Sequence, residues 1–166
     1  MSLEVSQKVT IQKVKNSKIN QVDFNNLPFG QVCTDHMLVC DFENGKWSSP
    51  KIIPYQAISL DPSAKIFHYG QSVFEGMKAY KDAHDDIWLF RPLDNQKRLN
   101  ISSKRLAMPE LPESYFMEGL EALLLLEANN QQDIFQLLHH QYTHANQDNN
   151  SVITPYNQAY RLLLSF

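Results

Sequence analysis

The residues best suited to chemistry lie in one short segment, residues 68–80, and in one arginine that follows it. The segment is His-Tyr-Gly-Gln-Ser-Val-Phe-Glu-Gly-Met-Lys-Ala-Tyr, in which two glycines stand among aromatic residues and a carboxylate. Gly70 and Gly76 either bring the backbone close to a ligand or allow a tight turn, and the turn is the commoner case. Arg98 carries a planar guanidinium that suits phosphate or carboxylate, although a lone arginine is more often a solvated charge on a helix.

Three histidines near the C-terminus have a spacing that suggests a metal site. His140 and His144 are four residues apart, as in a two-histidine site on a helix, and His139 is adjacent. The one further ligand nearby is Asp148, and the surrounding Asn and Gln indicate a biased polar composition. We therefore predict no metal site. The sequence also contains no G-x-S-x-G elbow, no phosphate-binding G-x-x-x-x-G-K loop and no dinucleotide-binding fingerprint.

The composition limits the class of protein. A chain of 166 residues with 43% hydrophobic and 20% charged residues can form one packed domain, with or without a tail. Its 15 basic and 18 acidic residues give a net charge of −3, which offers no support for a nucleic-acid partner. The longest aliphatic run, residues 122–126, is too short to cross a membrane, so we predict no membrane partner.

The two cysteines and the N-terminus indicate the compartment. Cys33 and Cys40 are too few and too isolated for a disulfide framework or a metal knuckle, so we expect two reduced thiols. The first residues lack the apolar region of a secretory signal. These features predict a cytoplasmic protein.

The composition changes near Glu127. Residues 1–127 contain 14 of the 15 basic residues and all five glycines, whereas residues 128–166 contain one basic residue, six Asn, six Gln and three His. This predicts a domain over residues 1–127, followed by a polar tail over residues 128–166. The tail is either partly disordered or docked through short apolar patches, which are Ile134–Phe135, Leu137–Leu138 and Leu162–Leu164.

Strand patterns dominate the first half of the chain. Residues 35–42 predict a strand that turns at Asn44-Gly45 into a second strand from Lys46, because Asn-Gly supplies the positive φ that a tight hairpin needs. Residues 51–60 continue as extended chain with a break at Pro54. A further hairpin is predicted from the strand-like stretches 73–80 and 86–90.

Two helices are predicted after the strands. Pro92 suits the first turn of a helix that Pro109 and Pro112 bring to an end, and Ser114 can cap the next helix. Strands followed by helices indicate an α+β class. The expected core combines Leu99, Ser102, Ser103 and Leu106 of the first helix, Phe116, Met117, Leu120, Leu123, Leu124 and Glu127 of the second, and the aromatic residues Phe67, Trp88 and Phe90.

Three motifs stand in register along the chain, which are Phe29-Gly-Gln-Val-Cys-Thr-Asp-His-Met, the segment 68–80, and Leu89-Phe-Arg-Pro-Leu-Asp-Asn-Gln-Lys-Arg-Leu. Together they resemble the branched-chain amino acid aminotransferases. The resemblance runs from about residue 8 to Glu127. It implies the N-terminal domain of a fold-type IV enzyme, a small antiparallel sheet with flanking helices. Such enzymes use pyridoxal 5′-phosphate to move the amino group of Leu, Ile or Val to 2-oxoglutarate.

The resemblance also implies roles for individual residues. Arg98 matches the arginine that grips the cofactor phosphate. Phe29, Tyr69 and Phe74 match aromatic positions that line the substrate pocket, although from the residues alone we would interpret Phe29 and Phe74 as core aromatics. Gly76 matches a glycine beside the substrate. The tyrosine equivalent to Tyr69 reaches the neighbouring subunit in the family, which implies a homodimer.

The family's catalytic lysine has no counterpart here. Members form a Schiff base between the cofactor and a lysine of a second domain. This chain has eleven lysines, of which Lys104 is the last, and none lies in a matching segment. We therefore expect no catalytic residue in this chain, weak or absent cofactor binding, and no activity by the chain alone. It is either a shortened aminotransferase, a non-catalytic module that pairs with a full-length homologue, or part of a longer active enzyme. The exposed apolar surface of such a domain predicts association.

Overall fold

A computed structural model describes the protein over residues 9–23, 31–82, 84, 86–128 and 160–161. The predictions for Phe29, for the three histidines of the tail and for the tail's apolar patches lie outside the described residues.

Small sheets and a few helices make up the described part of the chain, which is an α+β domain as predicted. The strands are β1 (Thr10–Ile11), β2 (His36–Val39), β3 (Phe42–Glu43), β4 (Lys46–Trp47), β5 (Lys51–Pro54), β6 (Lys78–Lys81), β7 (Ile87–Leu89) and β8 (Tyr160–Arg161). The helices are a 3₁₀ turn (Ile19–Gln21), α1 (Lys65–Tyr69), α2 (Pro92–Arg105) and α3 (Glu113–Ala128).

The first sheet has the order β1-β5-β2, with Ile52 of β5 fully buried at its centre. β2 and β5 are antiparallel, whereas β1 is parallel to β5, so this sheet is mixed and not purely antiparallel. The predicted break at Pro54 is confirmed, because β5 ends there.

The predicted hairpin at Asn44-Gly45 is confirmed, but it is shorter than expected. β3 and β4 pair across the turn, and both turn residues have positive φ, 52° and 77°. The single strand predicted over residues 35–42 is wrong, since it divides into β2 and β3. Next to the division, the Ser48 hydroxyl accepts a hydrogen bond from the Asp41 amide at 2.9 Å, and the Ser48 amide donates to the Asp41 carbonyl at 2.7 Å.

The second sheet has the order β7-β6-β8, with all pairs antiparallel. The β6–β7 hairpin is confirmed, but the strand predicted to begin at Val73 begins only at Lys78. In the residues before it, the buried Glu75 side chain accepts hydrogen bonds from Asn95 and Arg98 of a helix. The preceding α1 was not predicted. It ends at Gly70, whose φ of 58° confirms the turn interpretation of this glycine.

Helix α2 begins with Pro92 in its first turn, as predicted, and ends four residues before Pro109. The ending is a Schellman motif. The Met108 amide donates to the Ser103 carbonyl at 2.9 Å and the Ala107 amide donates to the Lys104 carbonyl at 3.1 Å. Ala107 occupies the left-handed position, with a φ of 53°, where glycine is usual. The helix therefore ends through its own backbone hydrogen bonds before the prolines are reached.

Among the described residues, helix α3 supplies more of the buried hydrophobic core than any other element. Of the residues predicted for its core-facing side, Phe116, Leu120, Leu123 and Leu124 are buried, whereas Met117 is half-buried. The predicted cap at Ser114 is wrong, since the helix begins at Glu113 and Ser114 lies in its first turn. Gly119 is buried against β2: a Cβ there would lie 2.7 Å from Cδ2 of Leu38, so the helix approaches the sheet closely. The buried hydrophobic residues are Ile52, Val73, Ala79, Leu99, Leu111, Phe116, Leu120, Leu123 and Leu124.

Several residues expected in the core are exposed. Phe67 lies on α1, which contains no buried residue. In β7, Ile87 and Leu89 pack against the core, so the alternation of a strand turns Trp88 and the following Phe90 outward. Leu106 is exposed beyond the end of α2. No helix among the described residues is long and apolar enough to cross a membrane.

Candidate functional site

A buried carboxylate holds an exposed arginine at the centre of the site. The Arg98 Nε donates to Oε2 of Glu75 at 2.8 Å, and Nη2 donates to Oε1 in a still shorter contact. The Glu75 side chain is 4% exposed, whereas that of Arg98 is 67% exposed. The hydrogen bond from Arg98 lowers the pKa of Glu75 against the opposing effect of burial, and the same bond raises the pKa of Arg98.

Two further groups hold the Glu75 carboxylate. The Asn95 side-chain amide donates to Oε1 at 2.9 Å and also to the Gly76 carbonyl at 3.2 Å. The Gly76 amide donates to Oε1 at 3.1 Å. Asn95 and Arg98 are three residues apart on α2 and so share one face of the helix, which lets both reach the same carboxylate. Glu75 is therefore fixed in its ionised form by donors from the helix and from its own loop.

The aromatic residues predicted to contact substrate are exposed. Tyr69 is 83% exposed at the end of α1 and Phe74 is 57% exposed, so the interpretation of Phe74 as a core aromatic is wrong. A Cβ at Gly76 would lie 3.3 Å from Cζ of Phe74, so the ring lies over the glycine. Within the part of the chain that the structure describes, Tyr69 packs edge-on against His68 and no hydrogen bond joins it to Glu75 or Arg98.

The structure thus brings together three of the predicted site residues, Phe74, Gly76 and Arg98, through Glu75. Sequence reasoning missed Glu75 and Asn95 as partners of Arg98. The spacing of Asn95 and Arg98 on a helix is a signal that could have found the asparagine. Glu75 lies 23 residues before Arg98, and no periodicity connects the two.

A second buried cluster anchors the end of α3 to β2. Glu127 Oε1 accepts hydrogen bonds from the backbone amide of His36 at 2.9 Å and from its Nδ1 at 2.7 Å. The Val14 amide donates to Nε2 of the same ring at 2.9 Å, so the proton of a neutral His36 lies on Nδ1. All donors and acceptors face protein groups, which makes this a structural cluster. Among the described residues, no group of three or more His, Cys, Asp or Glu side chains could hold a metal ion.

Known proteins provide an independent comparison. No protein-family model matches this chain. Branched-chain-amino-acid aminotransferase 2 of Bacillus subtilis is 47% identical over 116 residues, which are 69% of this chain and 32% of the relative. The chain is similar to the N-terminal portion of branched-chain-amino-acid aminotransferases. Branched-chain-amino-acid transaminase 1 of the same organism is 50% identical over 63% of this chain and 30% of its own length. The aminotransferase of Mycolicibacterium smegmatis is 48% identical over 100 residues.

The aminotransferase resemblance that the three motifs predicted is therefore confirmed. The chain spans about a third of the length of these relatives. In a chain of 166 residues, any continuous stretch of 100 residues includes the positions from Tyr69 to Arg98, wherever the stretch begins. The aminotransferase-like segment thus contains the whole Glu75–Arg98 cluster.

Proposed function

We propose that this chain provides the phosphate-binding and substrate-facing portion of a branched-chain amino acid aminotransferase of fold-type IV. Such an enzyme transfers the amino group of Leu, Ile or Val to 2-oxoglutarate. The observation that carries the proposal is the exposed guanidinium of Arg98, held on a buried carboxylate inside a segment that is about half identical to aminotransferases. When bound, pyridoxal 5′-phosphate supplies an electron sink for the amino transfer.

Arg98 fits the phosphate of this cofactor. A guanidinium has five N–H donors in a planar fork, and Glu75 occupies the edge formed by Nε and Nη2. The opposite edge, at Nη1 and the outer Nη2 hydrogen, points away from the carboxylate on a side chain that is two-thirds exposed. Charge-assisted hydrogen bonds from that edge to phosphate oxygens are among the stronger polar contacts available to proteins.

The exposed aromatic residues suit a substrate with a branched aliphatic side chain. We assign Tyr69 and Phe74, with Phe29, to the wall of the substrate pocket, and Gly76 to the position beside the substrate. Burying each methylene of such a substrate against an apolar wall contributes about 0.8 kcal/mol. An apolar wall that excludes water also favours these substrates over polar amino acids.

The remaining groups of the enzyme are proposed to come from outside this sequence. None of the eleven lysines matches the family's catalytic lysine, so we assign no catalytic residue to the chain. The exposure of Tyr69 supports a homodimer in which this residue meets a second subunit. The two free cysteines support a reducing compartment, so we place the protein in the cytoplasm.

The test is phosphate-dependent binding by the 166-residue chain. Pyridoxine 5′-phosphate is the probe, because it lacks the aldehyde that reacts with surface lysines, and pyridoxine is the reference compound. Because the chain alone is expected to bind only weakly, isothermal titration calorimetry is run at millimolar ligand, where we expect tighter binding of the phosphorylated compound. Arg98→Lys keeps the charge but loses the fork, so it should weaken this binding about tenfold. The control, Arg105→Lys, changes an exposed arginine two turns further along α2 and should have no effect.

Equal binding of the two compounds by the unmodified chain would contradict the proposal. An equal loss in both lysine variants would also contradict it, because it would indicate a general effect of charge and not a site at Arg98.

A further inference from the structure

We propose that Glu75 is a positioning residue for phosphate binding: it fixes the Arg98 guanidinium so that the opposite edge faces a phosphate monoester. This inference rests on the proposed function, since it concerns the same phosphate. The family resemblance gives substrate contacts to residues of the loop before β6, but it gives none of them a role in positioning Arg98 for phosphate.

The geometry of the pair restricts the rotation of the guanidinium. Both carboxylate oxygens are engaged, one by Nε and one by Nη2, so the planes of the two groups are held together along one edge. A single hydrogen bond would allow the guanidinium to turn about its axis. Two parallel bonds do not, and the direction of the free edge is therefore set by Glu75.

Further hydrogen bonds to the Glu75 carboxylate hold it in place, so that it can fix the position of Arg98. Its side chain is 4% exposed and receives donors from Asn95 on α2 and from the Gly76 amide in its own loop. The arginine side chain is mobile in the unfolded chain, and this network removes its rotational freedom on folding. Less conformational entropy is then lost when a phosphate binds, which is the physical benefit of a preorganised site.

A purely electrostatic role predicts the opposite effect. A carboxylate beside an arginine offsets part of its positive charge, so removing the negative charge should strengthen the attraction for a phosphate dianion. If positioning dominates, removing the same charge should weaken phosphate binding, because the guanidinium loses its fixed direction. The sign of the change on substitution of Glu75 therefore decides between the two roles.

The decisive variant is Glu75→Gln, which keeps the size of the side chain and removes its charge. We expect it to weaken the binding of pyridoxine 5′-phosphate by about tenfold. The matched control is Glu110→Gln, which removes one exposed carboxylate and so changes the net charge equally. Binding that is unchanged or tighter in Glu75→Gln overturns the inference while leaving the proposed function intact. Absence of any phosphate-dependent binding in the unmodified chain overturns both.

NMR can test whether Glu75 fixes the Arg98 guanidinium in the absence of any ligand. The Arg98 Nε–H is bonded to a buried carboxylate, so its NMR signal should exchange slowly with water. In Glu75→Gln this exchange should be at least about tenfold faster. Unchanged exchange would contradict the positioning role.

A second variant covers the case in which Glu75→Gln does not fold. Asn95→Ala keeps both members of the ion pair and removes one donor behind Glu75. It should weaken binding of the same probe by a smaller factor than Glu75→Gln and speed exchange of the Arg98 Nε–H. Full affinity together with unchanged exchange in Asn95→Ala would also overturn the inference.

Discussion

At the scale of single residues, the Glu75–Arg98 pair couples the geometry of the site to the protonation state of one carboxylate. Arg98 lowers the pKa of Glu75 below the value of 4.5 of the unperturbed group. The folded protein therefore binds a proton at Glu75 less readily than the unfolded chain does. A carboxyl group with a lowered pKa stabilises the folded state above its unfolded pKa, and this stabilisation is lost as the pH falls through its folded pKa.

The acid dependence of stability gives the first prediction. The free energy of unfolding of the unmodified chain should fall more steeply than that of Glu75→Gln as the pH drops from about 5 to about 3. Urea unfolding at a series of pH values measures both curves. Burial raises the pKa of Glu121, which works in the opposite direction, but Glu121 is present in both proteins and its effect cancels in the comparison. Parallel curves would show that Glu75 is not held as a carboxylate.

At the scale of secondary-structure elements, the features that follow local rules could be predicted from the sequence. The Asn44-Gly45 turn and Pro92 in the first turn of α2 each depend on the backbone preferences of one or two residues. The buried face of α3 was visible because its apolar residues recur with the period of a helix. Helix α1 has only five residues and buries none of them, so it leaves no such pattern.

Long-range contacts explain what the sequence did not indicate. The Asn44-Gly45 turn correctly indicated the β3–β4 pair. It did not indicate that β2 pairs with β5, which lies beyond this short hairpin. Glu75 reaches Arg98 across 23 residues, and Glu127 reaches His36 across 91. The family resemblance predicts a role for Arg98, but the partner that holds its side chain appears only in three dimensions.

The end of α2 carries a prediction at the same scale. Ala107 has a φ of 53° in the Schellman motif, a conformation that costs a residue with a Cβ about 1 kcal/mol relative to glycine. Ala107→Gly should therefore raise the free energy of unfolding by about 0.5–1 kcal/mol, despite the greater freedom of glycine in the unfolded chain. Chemical denaturation measures the change. As a control, Ala122→Gly within α3 should lower the stability by about 1 kcal/mol. A loss of stability in both variants would refute the assignment of the motif.

At the scale of the whole molecule, the segment between β5 and β6 exposes many apolar side chains. Its large exposed residues are Tyr55, Ile58, Leu60, Ile66, Phe67, Tyr69 and Phe74. Exposed apolar surface of more than a few hundred Å² generally marks an interface, since its contact with water is unfavourable. This segment includes the proposed substrate wall, so association and substrate binding would use neighbouring surfaces.

The final prediction concerns association through this segment. Sedimentation velocity should show the chain forming oligomers at concentrations of tens of micromolar, the range in which weak apolar interfaces become populated. The double variant Ile58→Ser, Phe67→Ser should shift the distribution towards monomer, because it removes two exposed apolar side chains without opening a cavity in the core. Ile101→Ser, which changes an equally exposed residue on α2, should leave the distribution unchanged. A monomer throughout this range would mean that these apolar residues do not drive self-association, and the proposed homodimer would then lose its main physical support.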